Sequence, residues 1–390
     1  MRLFAALGQA LMAMIIASPL EPRQGIDTSL VDSAPTPTSV SVPVGPSADT
    51  TTYNLTEATE SATASPLPVG TEPISRRSVA ARQTACQPNP TGAGPVPSPD
   101  NDSNFLRFAA FATIASQAPT PSGYNRTFVN LHARSQAYGY LGFDTLNSYD
   151  TQGCATQCDT IFDGCQGFNI FFERDPSLIP APGCANPPST TNIKCIFWGG
   201  DVATDTASYV GENQQGFHIV ISGSNGYMRN AVPTVPGYDG EATGNNTIDA
   251  PDGDTTGDPT VTTTVTTTVD GTTTTITTTT PTSTANPGNG RGTYIGSRIF
   301  TITFFDPALC AAACDAQNRN NLAHPPARGE PQICRFFTTY LINRNGRPAG
   351  QYCALYTRYY PRTFATNNGT TDGDETLSVR HAFSYRNTRL

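Results

Sequence analysis

The sequence predicts an α+β protein made of two small modules, each with one main helix packed on an antiparallel sheet and fixed by disulfides. The first observation is a pair of cysteines four residues apart, Cys154 and Cys158, which recurs as Cys310 and Cys314. An aspartate suited to capping a helix stands four residues before each pair, and strand-like runs with further cysteines and aromatic residues follow. A Tyr-Leu-Gly tripeptide ahead of the first pair is matched by Tyr-Ile-Gly ahead of the second. Agreement of these features in the same order indicates a duplication.

The helix and strand signals follow from this repeat. Asp150 is the expected N-cap of a helix that reaches residue 162, and Asp306-Pro307 favours a helix start in the second copy. Alternating apolar residues predict strands around residues 168–172, 195–198 and 217–221. A helix capped by Asp102 or Ser103 and ended before Pro119 is expected to bury Phe105, Phe108, Phe111 and Ile114.

Composition shifts divide the chain into segments. One arginine, an apolar run and small residues predict a signal peptide, and no later stretch reaches the roughly 20 apolar residues needed to span a bilayer. The following Pro/Ser/Thr-rich leader has too few large apolar residues to offset the entropy of ordering. The predicted segments are the signal peptide 1–17, a disordered leader 18–85, the first module 86–230, an acidic then Thr-rich linker 231–290, and the second module 291–390.

Two segments keep alternative interpretations. Arg76-Arg77 resembles a dibasic processing site, which would make the leader a removable pro-segment; a chance pair of arginines explains it equally well. Nineteen threonines lie in residues 255–285, a composition typical of O-glycosylated spacers. The alternative is a β-hairpin that turns at Asp270-Gly271 and places Val265 opposite Ile276 and Val269 opposite Thr272. An extended spacer of thirty residues would separate the modules by roughly 90 Å.

An exported protein meets an oxidising compartment, so the ten cysteines are expected in disulfides. Zinc is the competing interpretation, but the chain lacks a Cys-x-x-Cys knuckle. Export also agrees with Asn-x-Ser/Thr sites for N-glycosylation at Asn54, Asn101, Asn125, Asn245 and Asn368.

Charge is distributed unevenly. Seven acids and no base occupy residues 235–290, whereas residues 291–390 hold twelve arginines and six acids. This basic second copy favours either an anionic partner or a solvated surface. Asp252 and Asp254 resemble calcium ligands but lack the full loop pattern. No cofactor, metal or nucleic-acid partner is predicted.

No catalytic constellation is evident, so we expect that the protein is not an enzyme. No His-Glu-x-x-His pair and no Gly-x-Ser-x-Gly elbow occur. Glu173 and Asp175 are the carboxylates closest to a glycosidase pair, but they flank Arg174, so a surface ion pair is the expected arrangement. The four histidines are scattered, at His132, His218, His324 and His381.

A ligand surface is easier to place in the second copy. Arg358, Tyr359, Tyr360 and Arg362 follow a predicted strand, where Pro361 interrupts regular pairing. Exposed tyrosines stack on sugar rings or anchor protein interfaces, and arginine adds directed hydrogen bonds. The alternative is that both tyrosines cover the core.

Five motifs of the first copy are informative together. They are Cys-Ala-Thr-Gln-Cys-Asp at 154–159, Cys-Gln-Gly-Phe-Asn-Ile at 165–170, Phe-Phe-Glu-Arg-Asp-Pro at 171–176, Cys-Ile-Phe-Trp at 195–198 and Ser-Gly-Ser-Asn-Gly-Tyr at 222–227. With these motifs the first copy resembles the PAN/apple-like modules of secreted fungal proteins, and the second copy resembles them more loosely. The resemblance implies a non-catalytic module that binds carbohydrate or protein outside the cell.

The resemblance also implies a disulfide pairing between helix and strands. Cys86 and Cys184 are left to pair with each other, although the sequence alone does not choose among connectivities. The implied bonds are Cys154–Cys195, Cys158–Cys165, Cys310–Cys353 and Cys314–Cys334.

The function expected from the sequence is therefore a secreted, extracellular or wall-associated binding or adhesion protein. Cell-wall polysaccharide is the first ligand class, an extracellular protein partner the second, and an unrecognised wall-active enzyme the third.

Overall fold

A computed structural model describes residues 26–37, 42–45, 47–64, 85–250, 260–269, 272–281, 293–301 and 303–390. The predicted signal peptide, the Arg76-Arg77 pair, the Asp270-Gly271 turn, and Asp252 and Asp254 lie outside these residues. Within them, no helix is both long and apolar enough to cross a membrane.

The leader contains ordered elements, so the prediction of disorder throughout 18–85 is wrong for its described parts. Asn54 caps one helix by accepting a hydrogen bond from the Glu57 amide. Few apolar residues are present, but Val31, Ala58 and Ala62 are buried because they pack in hydrophobic clusters formed mainly by the second module. The elements are α1 (Thr28–Ser33), β1 (Asp49–Thr50) and α2 (Leu55–Thr63).

The first module is a helix packed on an antiparallel sheet. Over the described residues, the strand order in space is β1-β4-β6-β5-β9-β2, with β8 paired to β9 beside this path. The leader strand β1 therefore forms one edge. The elements are α3 (Asp102–Leu106), α4 (Ala109–Gln117), β2 (Tyr124–Leu131), β3 (Arg134–Ser135), β4 (Tyr140–Leu146), α5 (Thr151–Thr160), β5 (Gly167–Pro176), β6 (Ser189–Trp198), β7 (Ala207–Tyr209), β8 (Gly211–Gln214) and β9 (Phe217–Arg229), with a 3-10 turn at Thr204–Thr206 before β7.

The predicted caps are right for the main helix and wrong for the earlier one. Asp150 accepts a hydrogen bond from the Gly153 amide at the start of α5. The earlier helix is split into α3 and α4, and its cap is Asn101, whose extended backbone lets the side chain accept from the Asn104 amide. Ile114, expected in the core, is exposed.

The second module repeats this architecture. In the part of the chain that the structure describes, its main sheet has the order β10-β19-β15-β16-β14, with β18 paired to β19. Asp306 caps α6 as predicted, with Pro307 in the first turn. The elements are β10 (Tyr238–Gly244), β11 (Thr247–Ile248), β12 (Thr260–Val269), β13 (Thr272–Pro281), β14 (Tyr294–Phe300), α6 (Pro307–Ala323), β15 (Phe336–Arg344), β16 (Arg347–Tyr356), β17 (Ala365–Asn367), β18 (Gly369–Asp372) and β19 (Glu375–Asn387), with a 3-10 turn at Arg362–Phe364.

The start of the predicted linker belongs to the second module. Strand β10 forms the edge of its sheet beside β19, as β2 does beside β9. Tyr238 packs on Phe337 at 5.1 Å between ring centroids and donates its hydroxyl to Asp315. In the first module, Tyr124 packs on Phe168 and donates its hydroxyl to Asp159 in the same way. The acidic composition of 235–250 concealed this edge strand.

The Thr-rich segment is consequently an insertion within the second module, between β11 and β14, and not a spacer between modules. Strands β12 and β13 pair with Val265 opposite Ile276 and Val269 opposite Thr272, which is the register predicted for the hairpin. β-branched side chains on both strands favour this pairing.

All ten cysteines lie within the described residues and form five disulfides. The Cys86–Cys184 bond ties residues before α3 to the connection between β5 and β6. In each module, one main helix is linked to the sheet by two bonds. The Cys86–Cys184 pair was left open by the sequence. The other four pairs are those that the resemblance implied: Cys154–Cys195, Cys158–Cys165, Cys310–Cys353 and Cys314–Cys334.

The modules are packed together and are not held apart. Phe304 of the second module lies in the hydrophobic core of the first, and Tyr138 of the first lies in a core of the second. The Tyr138 hydroxyl donates to the Phe300 carbonyl at 3.0 Å, and the Phe305 amide donates to the Gly199 carbonyl at 2.9 Å.

We expect Phe304→Ala to separate the unfolding of the two modules. Truncating a buried phenylalanine costs about 3–5 kcal/mol, and here the loss falls on the contact between modules. Urea denaturation followed by fluorescence and circular dichroism should change from one transition to two. The exposed Ile114→Ala is the matched control and should keep one transition; a single, uniformly shifted transition in the Phe304 variant would contradict the reciprocal packing.

Candidate binding site on the outer face of the first sheet

Side chains of the first sheet alternate between the face that carries α5 and an outer face. Cys195 on β6 is bonded to Cys154 on α5, so its neighbour Lys194 points to the outer face. Glu173 and Asp175 share that face on β5, next to β6. Together with Arg134 and Asn192, these residues form what we call the polar cluster, and every member is at most 2% exposed.

A buried ion pair lies at the centre of the polar cluster. Lys194 Nζ contacts Glu173 Oε1, and both side chains are 1% exposed. The ammonium group also lies 4.8 Å from the centroid of the Phe143 ring. Removing two charges from water is costly, and their mutual attraction often does no more than offset that cost.

Asp175 is the second carboxyl group of the polar cluster and holds a proton at neutral pH. Burial, followed by the negative charge of Glu173, raises the pKa of Asp175 to about 8, although the charge of Lys194 opposes the shift. Asn192 Nδ2 donates to Asp175 Oδ2 at 2.6 Å. Asp175 is therefore a neutral acid beside the contact of Glu173 with Lys194.

Arg134 brings a second cation to the same face. Its guanidinium stacks 3.7 Å from the centroid of the Tyr209 ring. Tyr209 lies on β7, the strand that pairs with β3. Burial lowers the pKa of Arg134, and Glu173 opposes that shift. Among the described residues, Arg134 Nε and Nη1 have no hydrogen-bond partner, and neither has Asn192 Oδ1. Glu173 Oε2 and Asp175 Oδ1 also have no partner there, so the polar cluster contains both unpaired donors and unpaired oxygen atoms.

The expectation that Arg174 pairs with its flanking carboxylates at the surface is wrong. Alternation along β5 points Arg174 to the opposite face from Glu173 and Asp175. There it contacts Asp100 Oδ1 at 2.9 Å and donates to the His218 carbonyl. The two carboxyl groups are left to interact with each other and with Lys194.

The second module replaces the ion pair by uncharged residues. Cys353 corresponds to Cys195, so Tyr352 occupies the position of Lys194. Counting along the neighbouring strand from the residues opposite these cysteines, Ile342 occupies the position of Glu173. The fold therefore forms with an apolar residue and a tyrosine at these two positions.

A leader segment covers the polar cluster. We call residues 42–45 and 47–51 the strap. Lys194 Nζ donates to the Pro43 carbonyl at 3.4 Å, and Arg134 Nη2 donates to the Val42 carbonyl at 3.3 Å. The Val42 side chain is 4% exposed and packs in the hydrophobic cluster of the outer face.

The ligand surface predicted in the second module is only partly exposed to solvent. Tyr360 is fully buried, so the alternative that it covers the core is right for this residue. Tyr359 is half-buried, with the Arg386 guanidinium 5.4 Å from its ring centroid. Arg358 is half-buried and Arg362 is exposed.

The remaining predicted residues lie apart from the polar cluster. His218 forms an exposed ion pair with Asp102, and their hydrogen bond lowers the pKa of Asp102. His381 packs against Phe305 and Phe383, and burial lowers its pKa to about 4. No group of three or more metal-ligating side chains occurs within the described ranges. Of the glycosylation asparagines, Asn101 is half-buried, and the exposed ones are Asn54, Asn125, Asn245 and Asn368.

Sequence reasoning did not single out Arg134, Asn192 or Lys194. A signal was present for two of them. If Cys195 faces the helix, strict alternation along β6 places Lys194 and Asn192 on the other face. For Arg134, which lies on a two-residue strand, the sequence offers no comparable pattern.

The polar cluster is suited to hydrogen-bonding an oxygen-rich ligand. A neutral acid beside a carboxylate also has the protonation states of a glycosidase pair. Both groups are buried, however, with at most 1% of either residue exposed. Comparison with protein-family models, with curated proteins and with solved structures gave no match.

We expect the ion pair to stabilise the fold only as a complete pair. Lys194→Met should lower the free energy of unfolding by about 3–5 kcal/mol, because it leaves the Glu173 charge buried and uncompensated. The double variant Glu173→Ile with Lys194→Met leaves both positions uncharged, as they are in the second module, and should recover most of that loss. Equilibrium urea unfolding of the single and double variants measures both effects. If both variants lost the same free energy of unfolding, the fold would require the charges and the expectation would be wrong.

We expect Asp175→Asn to remove a pH dependence of stability. Folded Asp175 titrates near pH 8 and the unfolded residue near its usual 3.8. Between these values the folded state binds the extra proton, so this residue's contribution to the free energy of unfolding falls as pH rises. Each pKa unit corresponds to about 1.4 kcal/mol, so the Asn variant should gain a few kcal/mol over the natural protein between pH 5 and pH 9. Urea unfolding across this range tests it; a constant difference would contradict the assignment of the neutral acid.

Proposed function

We propose that the protein is an extracellular, non-catalytic binding protein with two PAN/apple-like modules, and that the outer face of the first module holds a carbohydrate. The observation that carries the proposal is the polar cluster itself. It places the charged pair of Glu173 and Lys194 where the second module has Ile342 and Tyr352, so this pair is not needed to form the fold.

The unpaired atoms of the polar cluster favour a ligand with hydroxyl groups. A hydroxyl both donates and accepts hydrogen bonds, so it matches the Arg134 donors and the Asn192 acceptor together. Phe143 and Tyr209 border the two cations and add apolar rings beside the polar groups. Such a mixture of a few convergent polar groups with aromatic walls is typical of small-molecule sites.

A protein partner is the second candidate, and the strap favours it. Residues Asp49 and Thr50 pair with β4 as an added antiparallel strand, and strap carbonyls accept from both cations. A foreign peptide that adds a strand to this edge would use the same contacts. Location outside the cell is supported by the five disulfides, which persist in oxidising compartments.

We expect saturable retention on insoluble polysaccharide that depends on the polar cluster. The oxidised full chain and its Val42→Asp form, in which the strap anchor is lost, are mixed with chitin, β-glucan or mannan particles, and depletion from solution is measured. The double variant Glu173→Ile with Lys194→Met should weaken retention at least about tenfold, equivalent to 1.4 kcal/mol.

The matched control alters the second module. Tyr359→Ala with Arg362→Ala should leave retention unchanged. Loss of retention in this control alone would move the site to the second module. No retention by any form would contradict carbohydrate binding and leave the peptide candidate.

A further inference from the structure

We propose that the strap is a built-in occupant of the polar cluster and keeps it closed until the chain is cut between the strap and Cys86. This inference rests on the proposed function, because it concerns how that binding face becomes available. The trigger is hydrolysis of a peptide bond by a protease that recognises paired basic residues, with water as the co-reactant.

The strap satisfies the polar cluster as a ligand would. Its Val42 and Pro43 carbonyl oxygens accept from Arg134 and Lys194, which are the two cations of the cluster. The N–H groups of these two cations that do not face Glu173 require oxygen acceptors, and the strap supplies two of them. Peptide carbonyls meet this requirement only in part, since Arg134 Nε and Nη1 keep no partner among the described residues.

The strap is also seated closely against the sheet edge. Asp49 lies opposite Phe143 and Thr50 opposite Gly142, and the Thr51 amide donates to the Leu141 carbonyl. A Cβ atom on Gly142 would lie 2.3 Å from the Asp49 carbonyl oxygen, so the approach of the two backbones requires glycine here.

The Asp49 carboxylate holds the strap at a further point. Tyr140 donates its hydroxyl to Asp49 Oδ2 at 3.1 Å. Burial and the charge of Asp49 raise the pKa of Tyr140, so this donor stays protonated.

The same leader covers the corresponding face of the second module. The Asp27 amide donates to the hydroxyl of Tyr352, the residue that corresponds to Lys194. Ile26 lines a small cavity of about 10 Å³ there, together with Tyr340 and Tyr356. One continuous segment therefore contacts equivalent strand positions in both modules, which a leader lying on the surface at random would not do.

The chain provides a sequence at which the leader is separable. Arg76-Arg77 is the one place in the sequence where two arginines are adjacent, and it lies between the strap and Cys86. Cys86 is bonded to Cys184, so everything after it stays with the first module. Once the bond after Arg77 is cut, the strap loses its covalent tether, and rebinding becomes a concentration-dependent encounter.

The test uses the one lysine of the chain as a reporter of strap opening. Lys194 is the only lysine, and its buried amine is covered by the strap. The oxidised full chain, before and after cutting by a dibasic-specific protease, is treated with sulfosuccinimidyl acetate under native conditions. Acetylation of the peptide containing Lys194 is followed by mass spectrometry, and native mass spectrometry reports whether the leader fragment stays bound after dilution.

We expect leader release and acetylation of Lys194 at least about tenfold faster in the cut chain. Uncut Val42→Asp should show the same gain and the milder Val42→Ala a smaller one. Val31→Asp is the matched control, since it disturbs the leader on the second module, and it should leave the rate unchanged.

The outcomes separate this inference from the proposed function. Retention of the leader, or equally slow acetylation in cut and uncut chains, would overturn the inference. Fast acetylation without retention on any polysaccharide would uphold the strap as a cover and reject the carbohydrate ligand.

Discussion

The bond between Cys154 and Cys195 is the constraint on which the rest of the first module depends. It fixes one residue of the central strand β6 toward α5, and alternation then fixes every other residue of that strand. Lys194 is forced to the outer face, beside Glu173 on the neighbouring strand. The Cys310–Cys353 bond of the second module applies the same constraint. The two outer faces differ because different side chains occupy positions that the disulfides make equivalent.

Because the two modules share one fold but differ at these positions, comparing them shows which side chains the fold does not require. A single module would not allow this comparison. Buried ion pairs are weak evidence for stability, because apolar residues of similar volume often serve as well. The second module contains such a replacement in Ile342 and Tyr352. Packing therefore does not explain the charges of the first module, whereas the proposed ligand site would explain both these charges and the unpaired atoms on Arg134.

The repeat, the caps of the two main helices and the hairpin register could be predicted because they follow from local spacing. The outer-face site could not, since it depends on the strap and on Arg134, which are distant in sequence from Lys194. Glu173 was assigned to the surface because its neighbour Arg174 offered an opposite charge, whereas alternation sends the two to opposite faces. The leader was misjudged on composition, which does not register that a few residues such as Val42 find partners on a preformed sheet.

Contacts between the modules also help to hold the proposed site of the first module in place. The 3-10 turn before β7 carries Asp205, which pairs with Arg380 of the second module. That turn leads directly to Tyr209, the ring on which Arg134 stacks. Because this ion pair and the packing of Phe304 both join the modules, the position of the Tyr209 segment depends on both modules. The second module, with no charged pair at the equivalent position, thus helps to position Tyr209, one wall of the site that we propose, and this would give the two copies a physical reason to stay packed together.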